Sequence, residues 1–244
     1  MKKAFIFGID GKMGKMLSAC AADFGYTVVG GFDKAPRGGE IPVYNDTSKI
    51  DVEFDVIIDF SHPYSLSSIV ALADKTLKPV VIATTGYNDS EAHMIMLLAQ
   101  KVPVFRSGNM SLGIAAAKAA AVAAQSVLGD MFDIEIVEKH HNQKLDNPSG
   151  TALLLADALS PRENQVVNRN GKRNKGEIGI TSVRGGGVVG EHEIGFYGED
   201  EIVTITHSAR SRKLFAAGAY KAADFLLSAP PALYNMDDLV KTLL

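Results

Sequence analysis

The sequence predicts an α/β protein in two styles: a doubly wound parallel sheet up to about residue 110, then an α+β part with a mixed or antiparallel sheet. Three observations predict it. Short apolar runs alternate with helix-compatible segments through the first half. A glycine-spaced turn joins the first run to the first helix. Beyond Ser111 the pattern changes to a long alanine-rich segment and then to alternating runs that meet at a tight turn.

Residues 4–7 form the first strand, followed by Gly8-x-x-Gly11-x-x-Gly14 and a helix from Lys15 to Phe24. Glycine at these places lets the backbone turn tightly and approach a diphosphate resting on the helix N-terminus. A second strand, 27–32, ends at Asp33, about 20 residues past the glycines, where a dinucleotide fold takes the adenine ribose. The strand before, the helix after and the acid together predict a Rossmann-type dinucleotide-binding domain over residues 1–110. Asp33 suits the free ribose hydroxyl of NADH, whereas Lys34 and Arg37 suit the extra phosphate of NADPH. The expectation is use of both coenzymes, tilted toward NADH.

Residues 36–51 read as loop, 54–59 as a strand, 64–74 as a helix, 79–83 as a strand, 90–100 as a helix and 102–105 as a strand. The turns after Asp59, Ala83 and Arg106 fall at the carboxyl edge of such a sheet, where ligands bind. The alanine-rich helix ends near Leu128, and 132–137 is a buried strand. Residues 160–177 are polar and predict a mobile loop. Strands at 178–184, 188–197 and 201–208 follow, the last two as a hairpin around Gly198-Glu199-Asp200. Residues 111–210 therefore form a second domain. A helix at 211–227 and the tail to 244 pack back on the first.

Composition excludes several classes. The net charge of −3, with acids and bases interspersed, gives no basic surface for nucleic acid. The one cysteine, Cys20, allows no internal disulfide and suits a reducing cytoplasm. The N-terminus runs straight into a strand without a signal-peptide pattern. The most apolar stretch, 112–128, carries Lys118, Gln125 and Ser126 and is mostly alanine, as in a closely packed helix rather than a membrane span.

Residues 138–151 concentrate the chemistry: Glu138, His140, His141 and Lys144, then the turn Asp146-Asn147-Pro148, then Ser149, Gly150 and Thr151. The strand ends in the basic cluster, the Asx-Pro turn follows, and Ser149 is placed as a helix N-cap. Histidine donates protons near neutral pH, as does lysine when neighbours lower its pKa, and the N–H groups of Gly150 and Thr151 favour an anion. The pattern predicts a site for a small, doubly anionic substrate that is protonated. Its bland alternative is a basic loop with two solvated histidines. No metal site is expected, because adjacent histidines on extended chain point opposite ways and Cys20 is remote.

Four motifs then occur in order: Gly8-x-x-Gly11-Lys12-Met13-Gly14, Ala83-Thr84-Thr85-Gly86, Glu138-x-His140-His141-x-x-Lys144-x-Asp146-x-Pro148-Ser149-Gly150-Thr151-Ala152, and Arg184-x-Gly186-x-x-x-Gly190-Glu191-His192. With them the chain resembles the dihydrodipicolinate reductases (4-hydroxy-tetrahydrodipicolinate reductases) over essentially its whole length. The resemblance implies reduction of a cyclic imine dicarboxylate by NADH or NADPH in lysine and diaminopimelate biosynthesis. It implies His140 and Lys144 as proton-transfer residues, and His141, Ser149, Gly150, Thr151 and Thr85 as substrate contacts. It further implies coenzyme contacts at Gly8, Ile9, Asp10, Gly11, Lys12, Met13, Asp33, Lys34, Ala83, Thr84, Thr85, Ser107, Gly108, Asn109 and Met110. A homotetramer formed through the second domain's sheet also follows from it. Ala83 stands where that family usually has glycine, Asn147 where it has alanine, and His62 where arginine is common. Another dehydrogenase of aspartate-family metabolites, or a non-enzymatic NAD(P)H sensor, would share the glycine turn. Neither requires the His-His-x-x-Lys and Pro-Ser-Gly-Thr arrangement.

Overall fold

The computed structural model describes residues 1–243; Leu244, the last residue of the tail segment, lies outside the described residues. Its contacts divide the chain into two compact units, Met1–Leu112 with Arg212–Leu244, and Gly113–Ser211.

The first unit holds Lys2–Phe7 (β1), Lys12–Cys20 (α1), Tyr26–Phe32 (β2), Val43–Tyr44 (β3), Val56–Asp59 (β4), Leu66–Thr76 (α2), Val80–Ile82 (β5), Asp89–Ala99 (α3) and Val104–Arg106 (β6). Its strands pair in parallel in the order β3-β2-β1-β4-β5-β6, the doubly wound arrangement. The strand interiors are mostly apolar because helices cover both faces, and charged residues such as Lys2, Asp59 and Arg106 sit at strand ends. Phe5, Phe7, Ile57, Val80 and Val104 pack with Leu66, Ile69 and Leu72 of α2 and Ile95 and Leu98 of α3. Each such side chain contributes about 1.5–3 kcal/mol relative to its exposed state.

The second unit follows Leu112–Leu128 (α4), whose first residue belongs to the first unit, with Asp133–His140 (β7), Gly150–Leu159 (α5), Gln165–Val167 (β8), Ile178–Arg184 (β9), Gly190–Tyr197 (β10) and Ile202–Ala209 (β11). The sheet order is β11-β10-β7-β9-β8, with β7 and β10 antiparallel and β7, β9 and β8 parallel. The hairpin β10–β11 is in register from Gly190↔Ala209 to Tyr197↔Ile202. One face of this mixed sheet is covered: Ile134, Ile136, Ile180, Ile194 and Phe196 pack with Ile114 and Ala121 of α4 and Ala152, Leu155 and Leu159 of α5. Residues 112–131 are long and apolar enough to cross a membrane by length and composition alone, yet Ile114 and Ala121 lie in this core. The other face shows Val137, Thr181 and Val183, with Thr204 and Thr206 on the edge strand β11.

The chain then returns to the first unit through Lys213–Leu226 (α6), Leu233–Tyr234 (β12) and Met236–Lys241 (α7). Strand β12 pairs in parallel with β6 and becomes the edge of the first sheet. Helix α6 is short-sided and buried: Ala216, Ala219, Tyr220 and Ala223 have no exposure, and the Tyr220 hydroxyl donates to the Leu17 carbonyl at 2.9 Å. A Cβ on Gly218 would fall 1.6 Å from the Met110 carbonyl oxygen, so glycine alone allows α6 to lie this close.

Three expectations are corrected. The supposed loop at 36–51 contains β3, paired with β2, a strand too short for periodicity to reveal. The supposed mobile loop at 160–177 contains β8, paired with β9, and is tied down by ion pairs. Arg169 bonds Glu177 and Glu135, and Arg173 bonds Asp133 at 2.9 Å and Glu135 at 2.6 Å. Its polarity reflects internal pairing, which composition cannot distinguish from solvation. Finally, β7 runs on to His140, so this histidine lies inside the strand rather than after it.

Candidate active site

In the second unit the functional groups gather at the end of β7. Alternation along the strand places Glu138 and His140 on the covered face with Ile134 and Ile136. Glu138 has no solvent exposure. Its carboxylate accepts both guanidinium nitrogens of Arg184 (2.6 and 2.8 Å), the Ser149 backbone N–H (3.0 Å) and His140 Nδ1 (2.5 Å). Strand pairing supplies the arginine, because β9 sets Arg184 opposite His140. Arg184 also donates to the Asp146 carbonyl at 2.7 Å and so anchors the loop carrying Lys144.

Helix α5 begins where predicted. Ser149 is its N-cap, accepting the Ala152 N–H at 3.1 Å, and its hydroxyl also meets His192 Nε2 at 3.1 Å. That hydroxyl is buried and already engaged, whereas Gly150 is exposed and Thr151 half-buried. Lys144 extends its ammonium to Asp146, 2.8 Å away. Burial favours the neutral acid at Asp146, but the Lys144 contact and the Gly150 amide outweigh it and lower its pKa. Lys144 and the first turn of α5 thus already receive a carboxylate, the protein's own. His141 is half-buried at the next position, and the Lys144 N–H donates to its carbonyl at 3.1 Å.

The buried groups differ sharply in charge preference. For Glu138, desolvation is the largest influence and opposes ionisation, yet the bonds from Arg184, His140 and Ser149 outweigh it and bring its pKa down to about 2. His140 is lowered by burial against the pull of Glu138. His192, packed edge-on to His140 with ring centroids 5.1 Å apart, is lowered by burial and by His140 from 6.5 to about 4. A histidine depressed in the folded state stabilises the protein above its unfolded pKa, and that contribution is lost as pH falls. Between pH 6.5 and 4 the unfolded chain takes up the proton first, which removes about 3 kcal/mol of stability. The urea midpoint therefore drops from pH 7 to pH 4.5, and His192→Asn flattens that slope. Equal slopes for the two proteins would contradict the assignment.

In the first unit the coenzyme rim is assembled from strand ends. Gly8 turns with φ +77°, and a Cβ there would lie 2.7 Å from the Phe60 carbonyl oxygen. Gly11 is the N-cap of α1 and no side chain caps the helix, so its leading N–H groups suit a diphosphate. Asp33, at the end of β2, accepts the Asp10 N–H and the Ala35 N–H, each at 3.3 Å. Lys34 lies over the Tyr64 ring at 4.8 Å, and that ring stacks on His62 at 4.4 Å. A cavity of about 720 Å³ runs beside 60–64 and 83–86 and includes His62, Ala83, Thr84 and Thr85. Thr85 borders Gly108, where an added Cβ would sit 3.4 Å from Thr85 Cγ2. The Ser107 hydroxyl donates to the Asn109 carbonyl at 2.7 Å, and Met110 is buried beneath. The glycine turn, the acid after β2 and this rim together fit a nicotinamide dinucleotide.

Four groups at these sites carried no assigned role in the sequence. Asp59, fully buried at the end of β4 with its pKa raised by burial, accepts from the Ser61 N–H at 2.9 Å and so holds one rim turn. Glu138 was readable, since residues two apart on a strand share a face. Arg184 and His192 required the strand register.

Two family profiles match the chain: dihydrodipicolinate reductase, N-terminus, over residues 2–110, and dihydrodipicolinate reductase, C-terminus, over residues 113–240. It is 45% identical to a 4-hydroxy-tetrahydrodipicolinate reductase of Caldanaerobacter subterraneus subsp. tengcongensis, covering 99% of each chain. It is 43% identical to one of Clostridium novyi, again over 99% of each. A dipicolinate-bound dihydrodipicolinate reductase from Paenisporosarcina sp. TG-14 superposes with a TM-score of 0.80 at 25% identity, covering 96% of this chain and 97% of that one.

Proposed function

From the premise that the chain belongs to the dihydrodipicolinate reductase family, we propose how its residues divide the work. The reaction is reduction of the cyclic imine dicarboxylate 4-hydroxy-tetrahydrodipicolinate (dihydrodipicolinate) by NADH or NADPH to tetrahydrodipicolinate, in lysine and diaminopimelate biosynthesis. The observation that carries the substrate assignment is the Lys144–Asp146 contact at 2.8 Å, reinforced at Asp146 by the Gly150 amide. A ligand carboxylate takes the place of Asp146 there.

Residues 1–110 bind the coenzyme. Gly8, Ile9, Asp10, Gly11, Lys12 and Met13 receive the diphosphate, Asp33 and Lys34 the adenine ribose. Ala83, Thr84, Thr85, Ser107, Gly108, Asn109 and Met110 line the nicotinamide end. Passing from 4-hydroxy-tetrahydrodipicolinate to tetrahydrodipicolinate exchanges the 4-hydroxyl for hydrogen and keeps the C=N bond, so water leaves first and creates a C=C bond conjugated with C=N. The bound dihydronicotinamide would supply hydride to the former hydroxyl carbon. The electron pairs then shift along the conjugated system to nitrogen, which needs a proton before the enamine returns to the imine. Lys144 and His140 supply and relay it. Gly150 and Thr151 meet one carboxylate through their N–H groups, with Ser149 fixing that helix end. His141 and Thr85 complete the substrate contacts. Both coenzymes serve, with NADH ahead, because Asp33 is turned to the glycine loop while Lys34 rests on Tyr64.

Residues 111–210 also assemble the protein. The open sheet face, with Val137, Thr181 and Val183 beside the β11 edge, suits burial against other copies in a homotetramer. The protein works in the cytoplasm, with the small dicarboxylate as partner and neither nucleic acid nor membrane involved.

The test is coenzyme oxidation with the cyclic substrate generated in situ from pyruvate and aspartate semialdehyde by the preceding synthase. Turnover that requires the synthase is expected, faster with NADH. Coenzyme binding without turnover would remove the substrate assignment.

A further inference from the structure

The mechanism uses His140 but leaves its buried neighbour without a task. Glu138 lies two residues earlier on the same face of β7 and has no solvent exposure. Four groups from three elements meet on its two oxygens: His140 Nδ1 of β7, both terminal nitrogens of Arg184 on β9, and the Ser149 N–H at the start of α5. A carboxylate with no proton of its own can only accept. Nδ1 of His140 must therefore be the ring nitrogen that carries hydrogen when the ring is neutral. Nε2 is then the atom left to take up or release a proton. Space is kept for it, since a Cβ on Gly190 would stand 3.0 Å from Nε2. The charged and titratable groups acting on the ring are Glu138, Lys144 and Arg184, with His192 packed edge-on.

The same carboxylate also sets the loop. Through Ser149 it fixes the N-terminus of α5, and through Arg184 it reaches the Asp146 carbonyl, two residues past Lys144. We propose that Glu138, braced by Arg184, is the positioning residue of the active site: it selects the His140 tautomer that exposes Nε2 and holds the two ends of the 144–149 loop in register with that atom. This rests on the reading of His140 as a proton-transfer residue. Glu138 touches neither substrate nor coenzyme in this role.

Nitrogen-15 ring correlation spectra of the histidines test it directly and need no variant at the outset. In the wild-type protein at neutral pH, His140 is expected as the Nδ1–H tautomer. In Glu138→Gln the ring loses that single form, and kcat falls by about a hundredfold or more, while the Kd for NADH, measured by calorimetry, stays within about twofold because the coenzyme contacts belong to the other unit. Glu138→Asp keeps the charge and is expected to recover part of kcat and the Nδ1–H form. An Nε2–H ring in the wild-type protein overturns the proposal whatever the variants do, including a variant that fails to fold. A pure Nδ1–H ring with undiminished kcat in Glu138→Gln overturns it too. Wild-type kcat in His140→Gln would instead remove the proton-transfer role of His140, and the positioning role with it.

Discussion

Lys144→Ala lowers kcat by roughly 10²–10⁴-fold, the usual worth of a positioned proton donor, and leaves NADH affinity unchanged. The two halves of that result come from separate places. Lys144 lies on the loop after β7, in the unit 113–211, whereas the glycine turn and Asp33 belong to the other unit. KM for the dicarboxylate also rises, because the ammonium that holds Asp146 at 2.8 Å is the one assigned to the ligand's carboxylate. Lys144→Arg separates the effects. It restores a cation and with it much of KM, but a guanidinium does not release a proton at neutral pH, so kcat stays low. Near-wild-type kcat in Lys144→Ala would dismiss Lys144 as a proton donor. Recovery of kcat in Lys144→Arg would reduce it to a charge.

Gly14→Ala is expected to damage the first unit severely. The added Cβ would lie 2.2 Å from the Gly8 carbonyl oxygen and 2.5 Å from Ile9 Cα, both backbone atoms. Neither yields easily, since the Gly8 N–H is bonded to the Phe32 carbonyl at 2.8 Å and Gly8 already sits at positive φ. Helix α1 must move away from β1, at a cost of about 3 kcal/mol or more, and the diphosphate platform moves with it. Urea unfolding and calorimetric NADH titration measure the two consequences. Gly11→Val is the informative contrast. Its only close neighbour is the Gly8 carbonyl oxygen, 3.1 Å from the added Cβ, so the fold survives while the side chain fills the coenzyme's approach. Tight NADH binding by Gly11→Val would move the diphosphate elsewhere.

The first sheet was legible because its signals are local. Each parallel strand is a short apolar run, each helix a separate segment, and the glycine turn joins two of them within a few residues. The α5 cap was legible for the same reason: Ser149 and Ala152 are neighbours. What escaped depends on pairing. Arg184 reaches Glu138 only because β9 aligns it with His140, and His192 reaches Ser149 across 43 positions of chain. The segment 160–177 misled because Arg169, Arg173, Glu135 and Glu177 neutralise one another. Two-residue strands such as β3 and β12 draw their identity from the strand beside them rather than from their own residues.

The return of α6 and β12 to the first sheet bears on how the protein is made. During synthesis, residues 1–112 emerge first, yet the helix that covers β4, β5 and β6 and the strand that borders β6 are translated only after all of 113–211. The inserted unit, continuous in sequence, is free to fold while the earlier one still waits for its last pieces. Until then β4, β5 and β6 lack the cover of α6, and the nascent chain carries a sticky sheet face. Completion of the coenzyme-binding half therefore waits until the whole inserted unit has been made, and a chain truncated after Leu112 is expected to aggregate rather than to bind nucleotide.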